Sequence, residues 1–437
     1  MTNLPDILPS QSETVQAIKA YWKTRGDSEP ARGYLGASSI GIECSRELWY
    51  SFRKCSEPSF DGRMYRLFNR GHKEEARFVE ELRGIGCEVH EFDENGNQFK
   101  VIACDGHFLG HTDGAVLGLL EAPKTWHLLE MKTSSSKIFA RIKSKGIEKE
   151  KPQHLAQMQV YMHLTGLKRA LYLVVNKDTD ELYSERVRYD SVRAKGYIDK
   201  AQSIIDASSP PARISEKVDS FACKFCDARE LCHGVSEVAV KVPAIHCRNC
   251  SHSTPISDGK WRCDHHSKEI DGTPCEDHIF LPGLINFAEP TDSFSNKDGS
   301  TAIEFTSEDG TVWHHGTDTD GGQFNSYALM NTSRNLVALP NPKKPGAKGS
   351  NLEARYSSSL DNVKSVWKGY ARDVQEEFQR RYKVPIGNPN QTQEGDGWTA
   401  AEFYPHCCVI MFGNAAEIRE DTTHKNNEMS KRIMIYK

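Results

Sequence analysis

Seven of the thirteen cysteines in this 437-residue chain fall between residues 223 and 275, at spacings that suit ligands better than crosslinks. Cys223-x2-Cys226-x5-Cys232 is followed by Cys247-x2-Cys250-x12-Cys263-x11-Cys275. A C-x2-C pair presents two thiolates from one tight turn, and clustered thiols in a reducing compartment read first as metal ligands. The compartment expected is the cytoplasm, that of a host cell if the gene is viral. The first thirty residues lack a charged start followed by an apolar stretch, so no secretory signal is visible. No apolar run approaches the ~18–20 residues that span a bilayer, so no membrane partner is expected.

The 56 Lys and Arg against 60 Asp and Glu, a net charge of −4, argue against a passive coat for nucleic acid. They leave room for a local basic groove. With 38% hydrophobic and 27% charged residues the chain suits a globular protein, and its length suits more than one core.

The pattern along the chain begins helical. Ser10 and Glu13 stand in capping-box spacing before Val15, Ile18 and Trp22 on one helix face. Helices are expected over 45–53 and 63–83, the second with Leu67, Phe68, Ala76, Phe78, Val79 and Leu82 as its apolar share. Short apolar segments at 98–104, 112–120 and 126–132, parted by Asp105-Gly106 and Pro123-Lys124, read as strands. A helix over 151–165 stopped by Gly166, strands at 169–175 and 181–187, and a helix capped by Asp190 and running to about Ala207 complete a mixed α/β sheet flanked by helices. Further on, Leu339–Ser350 reads as a linker. An amphipathic helix carrying Leu360, Val363, Trp367, Tyr370, Val374 and Phe378 is expected after it.

Within this frame three residues form a chemical set. Asp113 lies at a strand start in Gly110-His111-Thr112-Asp113-Gly114, and Glu130 and Lys132 share one face of the next strand. If the two strands pair as a hairpin, the carboxylates meet. Two carboxylates with carbonyl and water oxygens suit Mg²⁺ or Mn²⁺, which would polarise a scissile phosphate while Lys132 steadies the nucleophile or the developing charge. Gln157 and Tyr161 stand i and i+4 on one face of the following helix.

Taken together, Asp113, Glu130-Met131-Lys132, Gln157 and Tyr161 resemble the motif series of the RecB-type branch of the PD-(D/E)XK nucleases, Gln157 and Tyr161 matching its Q-x-x-x-Y element. The resemblance spans about residues 35 to 235. It implies a restriction-endonuclease-like mixed sheet core, catalytic roles for all five residues, and DNA (single strands or duplex ends) as substrate. Arg70-Gly71-His72 with Glu75 resembles the branch's earlier helical motif, which implies that His72 binds the metal, with Glu75 as a lesser candidate. Thr112 departs from the branch's name-giving proline. Between Met131 and Lys151 seven cations stand against two acids. Lys137, Arg141, Lys143 and Lys145 in that run are candidate phosphate contacts on a loop.

Three late cysteines need a fourth partner, and Cys44 is the candidate. One early and three late cysteines bracketing the motifs resemble the iron–sulfur nucleases of AddB and the CRISPR-adaptation exonucleases, which implies a structural 4Fe–4S cluster on Cys44, Cys223, Cys226 and Cys232. Zinc on the same thiolates is the alternative. Cys55, Cys87 and Cys104 read as ordinary buried thiols. The second set, Cys247, Cys250, Cys263 and Cys275, reads as a zinc ribbon or knuckle in which His278 or His265 could replace one ligand. Asp318-Thr319-Asp320-Gly321 reads as a turn, and Cys407-Cys408 with His406 lacks ligand spacing.

The expected organisation is a nuclease domain over 1–240, a zinc module over 241–282 and a C-terminal α+β region over 283–437. The expected activity is a metal-dependent DNA exonuclease of recombination, repair or phage DNA processing, with a recombination or replication protein as a possible partner. The alternatives are an endonuclease of a defence or restriction system on the same core, and a non-catalytic zinc-bearing nucleic-acid adaptor.

Overall fold

The computed structural model describes residues 12–30, 32–56, 58–234, 242–307, 310–335, 391–395, 398–403, 407–412, 415–420 and 432–436. Ser10, the linker at Leu339–Ser350, the helix expected across 360–378 and His406 lie outside the described residues. The chain forms two units, Met1–Ala228 with Ser253–Asp271, and Arg229–His252 with Gly272–Lys437.

The first unit opens with helices α1 (Glu13–Asp27), α2 (Ser45–Phe52) and α3 (Gly62–Gly84). The cap of α1 is Ser12, whose hydroxyl accepts from Val15 N, so the start falls two residues past the expected Ser10. No α1 side chain is buried, and Val15 and Ile18 stay exposed, so the expected apolar face packs only loosely. The start of α3 is fixed by Asp61, whose carboxylate accepts from Met64 N at 2.8 Å.

Eight strands follow the same chain: β1 (Leu35–Gly36), β2 (Glu88–His90), β3 (Lys100–Ala103), β4 (Phe108–His111), β5 (Ala115–Leu117), β6 (His127–Ser134), β7 (Arg169–Asn176) and β8 (Leu182–Arg188). Four helices join them: α4 (Ser136–Lys145), α5 (Ile147–Glu150), α6 (Pro152–Thr165) and α7 (Ser191–Asp206). The main sheet runs β2-β5-β6-β7-β8, parallel between β6 and β7 and antiparallel elsewhere. A parallel pair needs a long crossover, which α4 to α6 supply. Proline in the first turn and Gly166 at φ 78° bound α6. The carboxylate of Asp190 caps α7 through Val192 N and Arg193 N.

Central strand β6 is covered on both faces. Leu129 and Met131 join Phe78, Val79 and Leu82 of α3 and Leu171 and Val175 of β7 in one buried cluster. Each such side chain contributes roughly 1.5–3 kcal/mol by leaving water. The alternate residues, Glu130 and Lys132, therefore point away from that cluster, to the face on which α6 packs.

Two expectations need correction. A further strand, β4, lies between the expected segments at 98–104 and 112–120; it pairs with β3 and, in parallel, with distant β1. The basic stretch after Lys132 is helical rather than a loop, because Phe139, Ile142 and Ile147 bury one side of α4 and α5. Residues 253–271 add a small antiparallel sheet, β9 (Ser253–Pro255), β10 (Trp261–Cys263) and β11 (Lys268–Glu269).

The second unit contains short helix α8 (Arg229–His233), the antiparallel sheet β12 (Ala288–Ser295), β13 (Thr301–Ser307) and β14 (Val312–His315), and helix α9 (Ser326–Asn335). Five antiparallel strands follow: β15 (Gln391–Gly395), β16 (Trp398–Phe403), β17 (Cys407–Phe412), β18 (Ala415–Glu420) and β19 (Arg432–Tyr436). At Asp318 the expected turn is present, with Gly321 N donating to Asp318 Oδ1 at 2.8 Å. Among the described residues no helix is long and apolar enough to cross a membrane.

Candidate active site

Strand β5 stops pairing with β6 at Ala115, and the chain before it turns through Gly114 at φ 126°. A Cβ at Gly114 would lie 2.4 Å from His90 O, so the turn needs glycine on both counts. That turn carries Asp113 to the side of β6, where its Oδ2 accepts from Met131 N at 2.8 Å. Lys132 Nζ then lies 3.6 Å from Asp113 Oδ2 and 2.5 Å from Glu130 Oε1. The acid, acid and lysine expected to converge are therefore together.

Glu130 is wholly buried, and among the described residues the Lys132 ammonium is the one cation against its oxygens, which accept from no backbone N–H. That ammonium, which has three N–H groups, also donates to Met131 O at 3.0 Å. Burial, against the pull of Lys132 and with help from Asp113, pushes the Glu130 carboxyl up to about 7. Burial works against the charge of Lys132, yet Glu130 and Asp113 together hold it above the ordinary lysine range. A buried carboxylate with so few donors is expensive, and its cost falls when a further cation shares its oxygens. The oxygen donors of Asp113 and Glu130 thus fit a hard divalent ion.

On α6, Gln157 and Tyr161 are both buried, one turn apart on the same helix face. The Tyr161 ring lies so close to β4 that a Cβ at Gly110 would meet its hydroxyl at 2.5 Å. Burial first, then the charges of Glu130 and Asp113, raise the Tyr161 phenol. It stays neutral and able to donate.

On α3, Glu75 is half-buried, and burial followed by the charge of Asp113 raises its carboxyl. His72 points outward, its side chain 75% exposed, with Nδ1 3.6 Å from Glu75 Oε2. Of the two, Glu75 stands nearer the acid pair. Three of the four candidate phosphate contacts are tied to acids. Arg141 and Lys145 reach Glu150 at 2.7 and 3.1 Å, Lys143 pairs with Glu181, and Lys137 is exposed.

The sequence reading missed Tyr172 and His154. Tyr172 faces Glu130 across the β6–β7 register, and its hydroxyl lies 3.0 Å from His154 Nδ1. Burial, then Lys132 and Lys151, pull His154 down to about 3, so it is a neutral ring. The signal available was its place three residues before Gln157, on the same helix face.

No family model matches the chain, and no curated protein matches it. Solved structures give distant likenesses. The crystal structure of SSO0001 is 14% identical, with a TM-score of 0.32 over 51% of this chain and 97% of that one. The alkaline exonuclease LHK-Exo from Laribacter hongkongensis is 18% identical, with a TM-score of 0.28 over 42% of this chain and 90% of that one. Its complex with dAMP gives 16% identity and a TM-score of 0.29, over 42% of this chain and 89% of that one.

The cysteines divide between the units. Cys44 is the N-cap residue of α2, Cys223 is buried nearby in sequence to half-exposed Cys226, and buried Cys232 belongs to the second unit. In the first turn of α2, the half-buried Glu47 carboxyl is raised by burial and by Asp227 and lies beside Cys226. Of the second set, buried Cys247 and Cys250 and half-exposed Cys275 lie in the second unit and buried Cys263 in the first. His278 Nε2 donates to His246 O at 3.0 Å, which leaves Nδ1 to accept from Ser326 Oγ at 2.8 Å. Both of its nitrogens are occupied. His265 is half-buried. Cys55 and Cys87 are buried, whereas Cys104 is only half-buried, at φ 50°.

Proposed function

We propose that the first unit is a Mg²⁺- or Mn²⁺-dependent deoxyribonuclease that hydrolyses phosphodiester bonds, acting as an exonuclease in DNA recombination, repair or phage DNA processing. The observation that carries this reading is Asp113 and Glu130 meeting at Lys132 Nζ, with Glu130 wholly buried. When bound, a divalent cation would polarise the scissile phosphate and acidify the attacking water. Asp113 and Glu130 would hold it, with Glu75 and His72 as further donors. Lys132 supplies positive charge where charge develops on the phosphate. Tyr161, kept neutral, and Gln157 beside it orient the strand, while α4 offers its cations to phosphates by exchanging them from Glu150 and Glu181.

The proposal extends to the cysteines. A 4Fe–4S cluster on Cys44, Cys223, Cys226 and Cys232 is supported by the Glu47–Cys226 contact, which brings the first turn of α2 to the late cysteines. Zinc is assigned to Cys247, Cys250, Cys263 and Cys275; the occupied nitrogens of His278 favour cysteine in the fourth place. Domain roles follow, with nuclease over 1–240 and the metal module over 241–282. Protein purified without oxygen is expected to be brown and to hold iron and zinc. A colourless, iron-free sample removes the cluster.

The decisive assay is Mn²⁺-dependent cleavage of linear and covalently closed circular DNA by the native protein and Asp113→Ala. Loss of linear-DNA cleavage in the variant is expected, with circles spared by both. Unchanged cleavage by Asp113→Ala sinks the site, and cleavage of circles replaces exonuclease with endonuclease.

A further inference from the structure

Tyr172 is wholly buried on β7, beside the central strand β6, yet it carries a hydroxyl into that core. A buried hydroxyl is costly unless its hydrogen finds an acceptor. Among the described residues the one hydrogen-bond partner of this phenol is His154 Nδ1, 3.0 Å away on α6, with the two rings 5.7 Å apart and tilted by 36°. Burial, against the pull of Lys132, holds the phenol above its ordinary range, so it keeps its hydrogen and donates it to Nδ1. In a neutral imidazole whose Nδ1 accepts, the ring proton sits on Nε2. The sheet thus fixes the tautomer as well as the ring.

The Nε2–H end is open. It makes no hydrogen bond among the described residues and reaches solvent, unlike Nε2 of His127, which is sealed without a partner. His154, Gln157 and Tyr161 recur at i, i+3 and i+7 along one face of α6. The charge of Lys132 is felt at both ends of that row, by His154 and by Tyr161, and Tyr161 also feels Glu130 and Asp113. The row therefore lies along the acid pair, with the open imidazole at its start. Burial, then Lys132 and Lys151, keep that ring uncharged. Neutrality suits the place. An imidazolium would be repelled by Lys132 and by an incoming divalent ion, whereas a neutral N–H is not. His154 is also the third residue of α6, and the N-terminal end of a helix favours anions over cations.

We propose that His154 is a further substrate-contacting residue of this site, its Nε2–H donating to an oxygen of the scissile phosphate, and that Tyr172 is the positioning residue that holds it in that tautomer. The inference rests on the nuclease reading for its substrate, and adds to it a neutral donor supplied by α6. No proton changes hands. The hydrogen stays on Nε2 while negative charge grows on the phosphoryl oxygens, and the bond strengthens as it grows. Glutamine carries an amide N–H in place of Nε2–H, so His154→Gln conserves the donor that His154→Ala removes.

The test measures single-turnover cleavage of linear DNA with Mn²⁺, and DNA affinity in EDTA, on full-length protein. His154→Ala should slow cleavage by ~10²–10³-fold, the range for one preorganised donor, with DNA affinity held within about threefold. His154→Gln should recover at least about tenfold of that loss, which repair of packing alone does not do. Tyr172→Phe frees the ring to take either tautomer. It should slow cleavage by about two- to tenfold in the native background and by nothing further in His154→Ala, since the two act as one unit. Imidazole nitrogen NMR shifts, assigned by the signal lost in His154→Gln, should show Nε2–H in the native protein and a mixture in Tyr172→Phe. Native-like cleavage by His154→Ala overturns the contact and leaves the nuclease standing. Losses that multiply in the double variant overturn the role of Tyr172, and a native ring protonated on Nδ1 overturns both assignments. A native protein that cuts no DNA removes the nuclease reading itself, whichever tautomer the shifts report.

Discussion

Two glutamates share one row of the main sheet and differ in almost everything else. Glu130 on β6 and Glu185 on β8 flank Tyr172 of β7 in register. On the outer strand, Glu185 accepts from Ile147 N and from the Tyr183 hydroxyl, each at 3.0 Å, and so fastens α5 to the sheet. At the centre, Glu130 is fully buried and meets the Lys132 ammonium, with no backbone N–H donating to it. The first carboxylate is satisfied by the fold; the second is left incomplete by it. Residue type alone does not separate the two carboxylates; the partners that the fold gives each of them do.

The largest expected effect comes from neutralising Glu130. Glu130→Gln should lower Mn²⁺-dependent cleavage by ~10³-fold or more in a single-turnover assay, because it removes a ligand and a charge that act on the reaction. Comparable cleavage by this variant would erase the contrast.

Next comes pH. With the Glu130 carboxyl pushed up to about 7, proton and metal compete for the same oxygens at neutral pH. Calorimetric Mn²⁺ affinity should be flat well above about pH 7 and approach a roughly tenfold fall for each unit well below it. An affinity constant from pH 5.5 to 8 contradicts that buried-acid assignment.

Glu185→Ala sharpens the comparison from the other side. It strands Ile147 N and should cost about 1–3 kcal/mol of stability in urea unfolding, while cleavage per folded molecule stays within about twofold. The smallest effect belongs to α4. Changing Lys137, which is exposed, to Gln should reduce the salt slope of DNA binding by about 1 and leave cleavage at saturating DNA alone.

The same row shows what sequence could reveal. Glu130 and Lys132 were legible because a period-2 strand puts them on one face. Gln157 and Tyr161 were legible because i and i+4 share a helix face. Helices α2, α3, α6 and α7 could be placed to within about two residues because caps and stops mark their ends. Strand β4 was not legible: its parallel partner is Leu35–Gly36, and nothing local encodes a pairing that distant. The helical nature of α4 was hidden by its cations, although Phe139 and Ile142 carry the period. Glu185 and His154 were passed over because donors and acceptors from separate elements define them, and a linear pattern does not show who meets whom.

The bridging position of Lys132 has a consequence of its own. One ammonium already sits against both acids, so the pocket is never left with two naked negative charges. On the proposed function, loading an ion there would exchange one cation for another at the same two carboxylates. Such a protein should keep its shape when stripped by chelator, and should start work as soon as ions are returned.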